Sequence, residues 1–207
     1  MVMLLNSYLT FKRFFAVFLV AVCLVFCFCG CKKEKVYLPI RTECYDGETL
    51  LQTTVNTFNE NGFLTSETTY YISANSSEEI TEYTYNKKGD LVSALQTLSG
   101  VKTEYTAEKV TEYKYYLTSK NGDKITVIFD GKGHIVYKNV ENVYTLEQLY
   151  TYNNGKPAAL KTQVISPSGN SKITDYIITF TSSTTYEYFA ADNSGYRYVV
   201  TCEILNK

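Results

Sequence analysis

Tryptophan is absent from this chain, histidine occurs once and proline three times. Each scarcity removes a class of explanation. A single histidine, His134, leaves no His pair for a zinc site and no sequence-adjacent Ser or Cys to activate, so it reads as a turn-edge surface residue rather than a base. Three prolines among 207 residues, beside 20 tyrosines and many threonines, point to β structure, because aromatic and β-branched side chains suit a pleated surface. An excess of charge is missing too. The formal net charge is -1 and the pI about 5.9, far from the basic stripe of a nucleic-acid binder, so no nucleic-acid partner is expected. The length allows one domain of moderate size.

Cysteine is not scarce, but it is lopsided. Cys23, Cys27, Cys29 and Cys31 fall in the first 31 residues, and only Cys44 and Cys202 lie beyond them. The spacing C-x3-C-x-C-x-C within greasy sequence does not suit zinc or iron–sulfur ligation, which takes better-separated pairs. No metal and no cofactor are expected. The layout is that of an export signal: Lys12 and Arg13, the uncharged apolar run Phe14–Gly30, then "KKEK" from Lys32. The run is short for a spanning helix, which needs roughly 20 apolar residues; an uncleaved membrane anchor is the alternative. Phe28-Cys29-Gly30-Cys31 resembles the lipobox of bacterial lipoproteins. Gly30 and Cys31 carry the resemblance, while Phe28 and Cys29 stand where Leu and Ala or Ser are usual.

That resemblance implies a helical signal peptide over residues 1–30 and lipidation of Cys31, with a diacylglycerol thioether that meets the two-chain requirement for stable anchoring. It also implies a cell-membrane location facing the extracytoplasmic side. Residues 31–45 then read as a lipidated tether and 46–207 as an antiparallel β domain.

In that body, strand-like runs alternate with tight polar turns, and a motif repeats: "TFNENGFLTSET" from Thr57, "TYNKKGDLVSAL" from Thr84, "IFDGKGHIVYKN" from Ile128 and "TYNNGKPAALKT" from Thr151. An aromatic ends one strand, Asn or Asp caps a turn with its side chain, Gly supplies a positive φ, and an apolar residue starts the next strand. "KNGD" (120–123), "SPSG" (166–169) and "DNSG" (192–195) are looser turns of the kind. Phe58-Asn59 with Gly62 and Leu64, Tyr85-Asn86 with Gly89 and Leu91, and Phe129-Asp130 with Gly133 and Ile135 resemble the YD-repeat units of Rhs-type bacterial surface proteins. Tyr152-Asn153 with Gly155 matches less well. The resemblance implies a hairpin sheet and an extracellular setting. The expected fold is all-β: a curved antiparallel meander or an open half-barrel built from successive hairpins.

Three features are candidates for chemistry. Cys44 and Cys202, near opposite ends of an exported domain, could form a disulfide if the end strands pair. Tyr83, Tyr85, Tyr113, Tyr115, Tyr150, Tyr152, Tyr196 and Tyr198 could form a binding face, since Tyr offers a flat apolar ring and a hydroxyl; covering a thin core is the plainer use of the same residues. No acidic pair has a glycosidase pattern, and no catalytic residue is expected. The sequence therefore favours a non-catalytic binding or structural module with an extracytoplasmic glycan, lipid or protein ligand. A lipid carrier with an apolar cavity inside a curved sheet and a cell-wall or polysaccharide hydrolase with two converging carboxylates are the rival readings.

Overall fold

The repeated motif folds as its residue types require. In the first copy the Asn59 side-chain oxygen accepts the backbone N–H groups of Asn61 and Phe63, both at 3.0 Å. Gly62 sits at φ 78° and donates to the Asn59 carbonyl at 2.8 Å. Asn86 does the same for Lys88 and Asp90, and a serine takes the role in "KNGD", where Ser119 Oγ accepts from Asn121 and Asp123. Each turn thus satisfies its own backbone donors, which is why it can close a hairpin without help from the core.

This computed structural model describes residues 35–72, 77–130, 134–153, 155–191 and 196–206. The expected signal peptide, Cys31, residues 131–133 and Asn154 of the motif turns and the whole "DNSG" turn lie outside them. Fourteen strands follow in order: β1 (Lys35–Asp46), β2 (Thr49–Phe58), β3 (Leu64–Tyr71), β4 (Ser77–Tyr85), β5 (Leu91–Leu98), β6 (Val101–Lys109), β7 (Lys114–Ser119), β8 (Lys124–Phe129), β9 (Ile135–Val140), β10 (Tyr144–Asn153), β11 (Lys156–Ile165), β12 (Ser171–Phe180), β13 (Thr185–Ala190) and β14 (Tyr196–Asn206). Each pairs antiparallel with the next, and β14 pairs with β1 from Lys35↔Asn206 to Asp46↔Tyr196, closing the sheet into a barrel. Among the described residues no helix is long and apolar enough to cross a membrane.

The all-β meander expected from the sequence is therefore present, but it is closed rather than open. Closure removes two exposed strand edges. It depends on residues 35–45, which read as a tether and are in fact the body of β1. Pro39 disguises them, because proline cannot donate to a ladder. The chain absorbs it at a register shift between Pro39 and Arg41 against β14, while its carbonyl accepts the Asn56 amide at 2.8 Å. Val36, Tyr37 and Leu38 beside it are buried.

Hairpin topology puts the four motif turns at one end of the barrel, the end where β1 starts. There Phe58, Leu64, Tyr85, Leu91, Phe129 and Ile135 join a buried cluster with Tyr83, Tyr105, Tyr115, Leu117, Ile125 and Val127. Tyr83 of β4 meets Phe129 of β8 edge-on, centroids 6.4 Å apart, so side chains span the lumen here. A second cluster, Tyr37, Tyr186, Val200 and Cys202, fills the β12–β14 side. Burial of each large apolar side chain contributes about 2 kcal/mol.

Candidate functional site

Between the two clusters the lumen is open. A cavity of about 340 Å³ is walled by β1–β4, β9, β10, β13 and β14, near the lower limit for a small-molecule site. Its floor, at the motif end, is Phe58, Leu64, His134 and Ile135. Tyr71, 37% exposed, stands at the opposite rim.

The lining is polar. Glu67 of β3, Glu79 of β4 and Lys138 of β9 face inward beside Gln52, Thr54, Asn56 and Gln148. Glu79 accepts the Gln96 amide at 2.8 Å, and Tyr105 donates to Gln96 at 3.3 Å. Glu67 makes no hydrogen bond among the described residues. Burial pushes its carboxyl up; Lys138 opposes the shift and Glu79 adds to it. Burial works to lower the Lys138 ammonium, but Tyr144, Glu67 and Glu79 outweigh it and leave it raised. Two carboxylates thus share the field of one lysine.

At the floor lies a cluster with the wiring of a fixed histidine. His134 is 5% exposed. Its Nδ1 is 3.0 Å from Asp130 Oδ2 and 3.1 Å from the Tyr152 hydroxyl, which itself donates to Asp130 Oδ2 at 2.7 Å. The backbone N–H of His134 donates to Asp130 Oδ1, and Tyr150 stacks on the ring with centroids 4.6 Å apart. Burial alone would raise the Asp130 carboxyl, yet the hydrogen bond and charge of His134, with the Tyr152 hydroxyl, hold it at about 2. Burial, then Asp130, push the Tyr152 phenol up, so it stays a donor. An ionised Asp130 accepts the proton that Nδ1 carries. His134 Nε2 is buried and, among the described residues, without a hydrogen-bond partner, as is Asn56 Oδ1.

The structure corrects three expectations. His134 is not a surface residue: its ring is buried at the barrel floor, against Asp130 and Tyr150. The tyrosines do not form one face. Tyr83 and Tyr115 are buried in the apolar cluster, with Tyr85 beside them; Tyr150 and Tyr198 line the cavity, and Tyr152 serves Asp130. Only Tyr113 and Tyr196 of the eight are exposed, at 42% and 46%, and they lie at opposite ends. Cys44 and Cys202 do sit on paired end strands, but as free buried thiols. Cys44 lies opposite Tyr198 and Cys202 opposite Pro39, a separation of about 13 Å along the strand, where a bridge needs Cα atoms within about 7 Å. Burial pushes the Cys202 thiol up to about 12.

Sequence reasoning passed over Glu67, Glu79, Lys138 and Asn56. For Glu67 and Lys138 the signal is the bulge in the motif itself; Asn56 and Glu79 stand at even spacing from Phe58 and Tyr85 and follow plain alternation. The register slips one residue after Leu64 and after Ile135, so counting by twos from either points the wrong residues inward. Among the described residues no group of three or more His, Cys, Asp or Glu side chains could hold a metal ion.

Fold and site together define a fourteen-stranded up-and-down barrel with a plugged end and a polar cavity. No protein-family model matches the chain, and no curated protein matches it with significance.

Proposed function

We propose that this protein is an extracytoplasmic lipoprotein, anchored through Cys31, whose barrel binds a small polar ligand in its lumen without catalysing a reaction. The observation that carries the binding reading is the cavity with a rigidly held, buried His134 whose Nε2 has no partner among the described residues. Buried polar atoms are normally satisfied, and an exception points to a group supplied from elsewhere. The charged wall counts against an acyl-chain cargo, since setting ions against hydrocarbon costs several kcal/mol each. Glu67 and Glu79 in one cavity are the feature a hydrolase would use, but a polymer could enter a closed barrel only by its end.

The anchor rests on the lipobox resemblance at Gly30 and Cys31. Exposed mid-strand charges on the outer wall, Glu82, Glu104, Glu147, Lys161 and Asp175, suit water rather than the apolar belt of a membrane-spanning barrel. Radiolabelled palmitate should enter the wild-type protein and not Cys31→Ala; equal labelling would refute the anchor. Native mass spectrometry of the purified chain should show a bound species without acyl chains. Co-purified lipid in the lumen would replace this reading with that of a lipid carrier.

A further inference from the structure

Two buried side-chain atoms of the cavity lack a hydrogen-bond partner among the described residues, Asn56 Oδ1 and His134 Nε2, and the first can only accept. Asn56 donates its amide N–H to the Pro39 carbonyl at 2.8 Å, which fixes the flip and turns Oδ1 inward with no partner. Asp130 fixes a proton on His134 Nδ1, and Nε2 is buried without a partner among the described residues. Glu67 stands directly across the ladder from Asn56, their Cβ atoms about 5 Å apart on the same face, and makes no hydrogen bond among the described residues.

Charge then chooses among donors. Glu67 and Glu79 face one ammonium, that of Lys138, so the cavity wall is short of one positive charge in a medium of low dielectric. A neutral polyol could satisfy the acceptors and leave that imbalance. An anion would worsen it. A cation with N–H groups meets both demands, and the rings of Tyr150, Tyr186, Tyr188 and Tyr198 around the cavity add faces that attract cations.

We propose that the ligand of this cavity is a small ammonium compound whose N–H groups bond Glu67 and Asn56 Oδ1. This rests on reading the barrel as a binder of small polar ligands. It is tested by calorimetric titration of the full-length chain in detergent with 4-aminobutanol, 1,4-butanediol and 4-hydroxybutyrate, which share a chain length and differ in one terminal group, and with glucose as a bulkier polyol. The amino compound should bind at least tenfold more tightly than the diol, and the carboxylate not at all. Glu67→Gln should lose at least tenfold for the amine and little for the diol. Equal affinity for amine and diol, or glucose binding in preference to the amine, would overturn the ammonium assignment and leave the barrel a binder of neutral solutes. No binding by any of the four would overturn both readings. The wild-type comparison needs no variant, so it decides the matter even if Glu67→Gln does not fold.

Discussion

Between β4 and β8 the lumen is filled: Tyr83, Tyr105, Leu117, Ile125 and Val127 leave a void of about 10 Å³, while a cleft of about 300 Å³ lies at the motif end beside Leu64, Tyr85 and Phe129. Toward β1, β2 and β10 the same wall encloses about 340 Å³ lined by carboxylates, amides and a lysine. Both regions are built from one device, inward-facing alternate residues of an antiparallel ladder. They differ in what those residues are. The filled lobe follows the rules for stability, with large apolar side chains in contact. The cavity breaks them by burying a charge imbalance and two polar atoms without a partner among the described residues. Sites where local rules are broken and the rest of the fold compensates are where function is expected.

Lys138 stands on the boundary, bordering both the small void and the cavity, so its removal tests the comparison hardest. Lys138→Met keeps the apolar stem and deletes the ammonium, leaving Glu67 and Glu79 without their buried counter-charge. We expect a loss of about 4 kcal/mol in urea unfolding. A loss below about 1 kcal/mol, the scale of an exposed pair, would mean that the cavity behaves as open water and the contrast between the regions is false.

Leu91→Ala probes the filled lobe. Leu91 is 2% exposed, and truncation in a close-packed core should cost about 3 kcal/mol. Affinity for any lumen ligand should be unchanged once the variant is folded, because Leu91 does not line the cavity. An altered affinity would show that the two regions are mechanically one.

The filled lobe was largely legible in the sequence, and the cavity was not. The motif's aromatic and apolar positions announced themselves, since Phe58, Leu64, Tyr85 and Leu91 are conspicuous beside their Asn and Gly partners, and these residues plug the barrel end. The same motif concealed the cavity. Its turn ends in a one-residue bulge, so Thr65, Val92 and Val136 are skipped in pairing. From Leu64, strict alternation would send Ser66, Thr68 and Tyr70 inward; the bulge sends Glu67, Thr69 and Tyr71 instead. From Ile135 it turns Lys138 inward in place of Tyr137. A single slip exchanges every side chain between the faces, and periodicity alone does not reveal where the slip falls. Closure was hidden by Pro39, and the cysteine pairing by a register that only the closed ladder defines.

Glu67→Gln carries the smallest expected change in stability and the sharpest meaning. In a purely structural role, Glu67 would be a partner for Lys138, and its loss would destabilise the fold. In the role proposed above it is a carboxylate held ready for a ligand at some expense to the empty protein. Burial raises its carboxyl above the usual 4.5, so between the unfolded and folded values the native state binds more protons, and stability falls as pH rises through that window. The amide removes this decline, while Glu79 remains to balance Lys138. The variant should therefore be more stable than wild type at pH 7 by about 1 kcal/mol, the scale of single stabilising substitutions. The difference should shrink as pH is lowered toward 4.5, measured by urea unfolding across the series. A variant less stable than wild type at pH 7 would make Glu67 part of the scaffold, and the cavity wall would then belong with the filled lobe rather than against it.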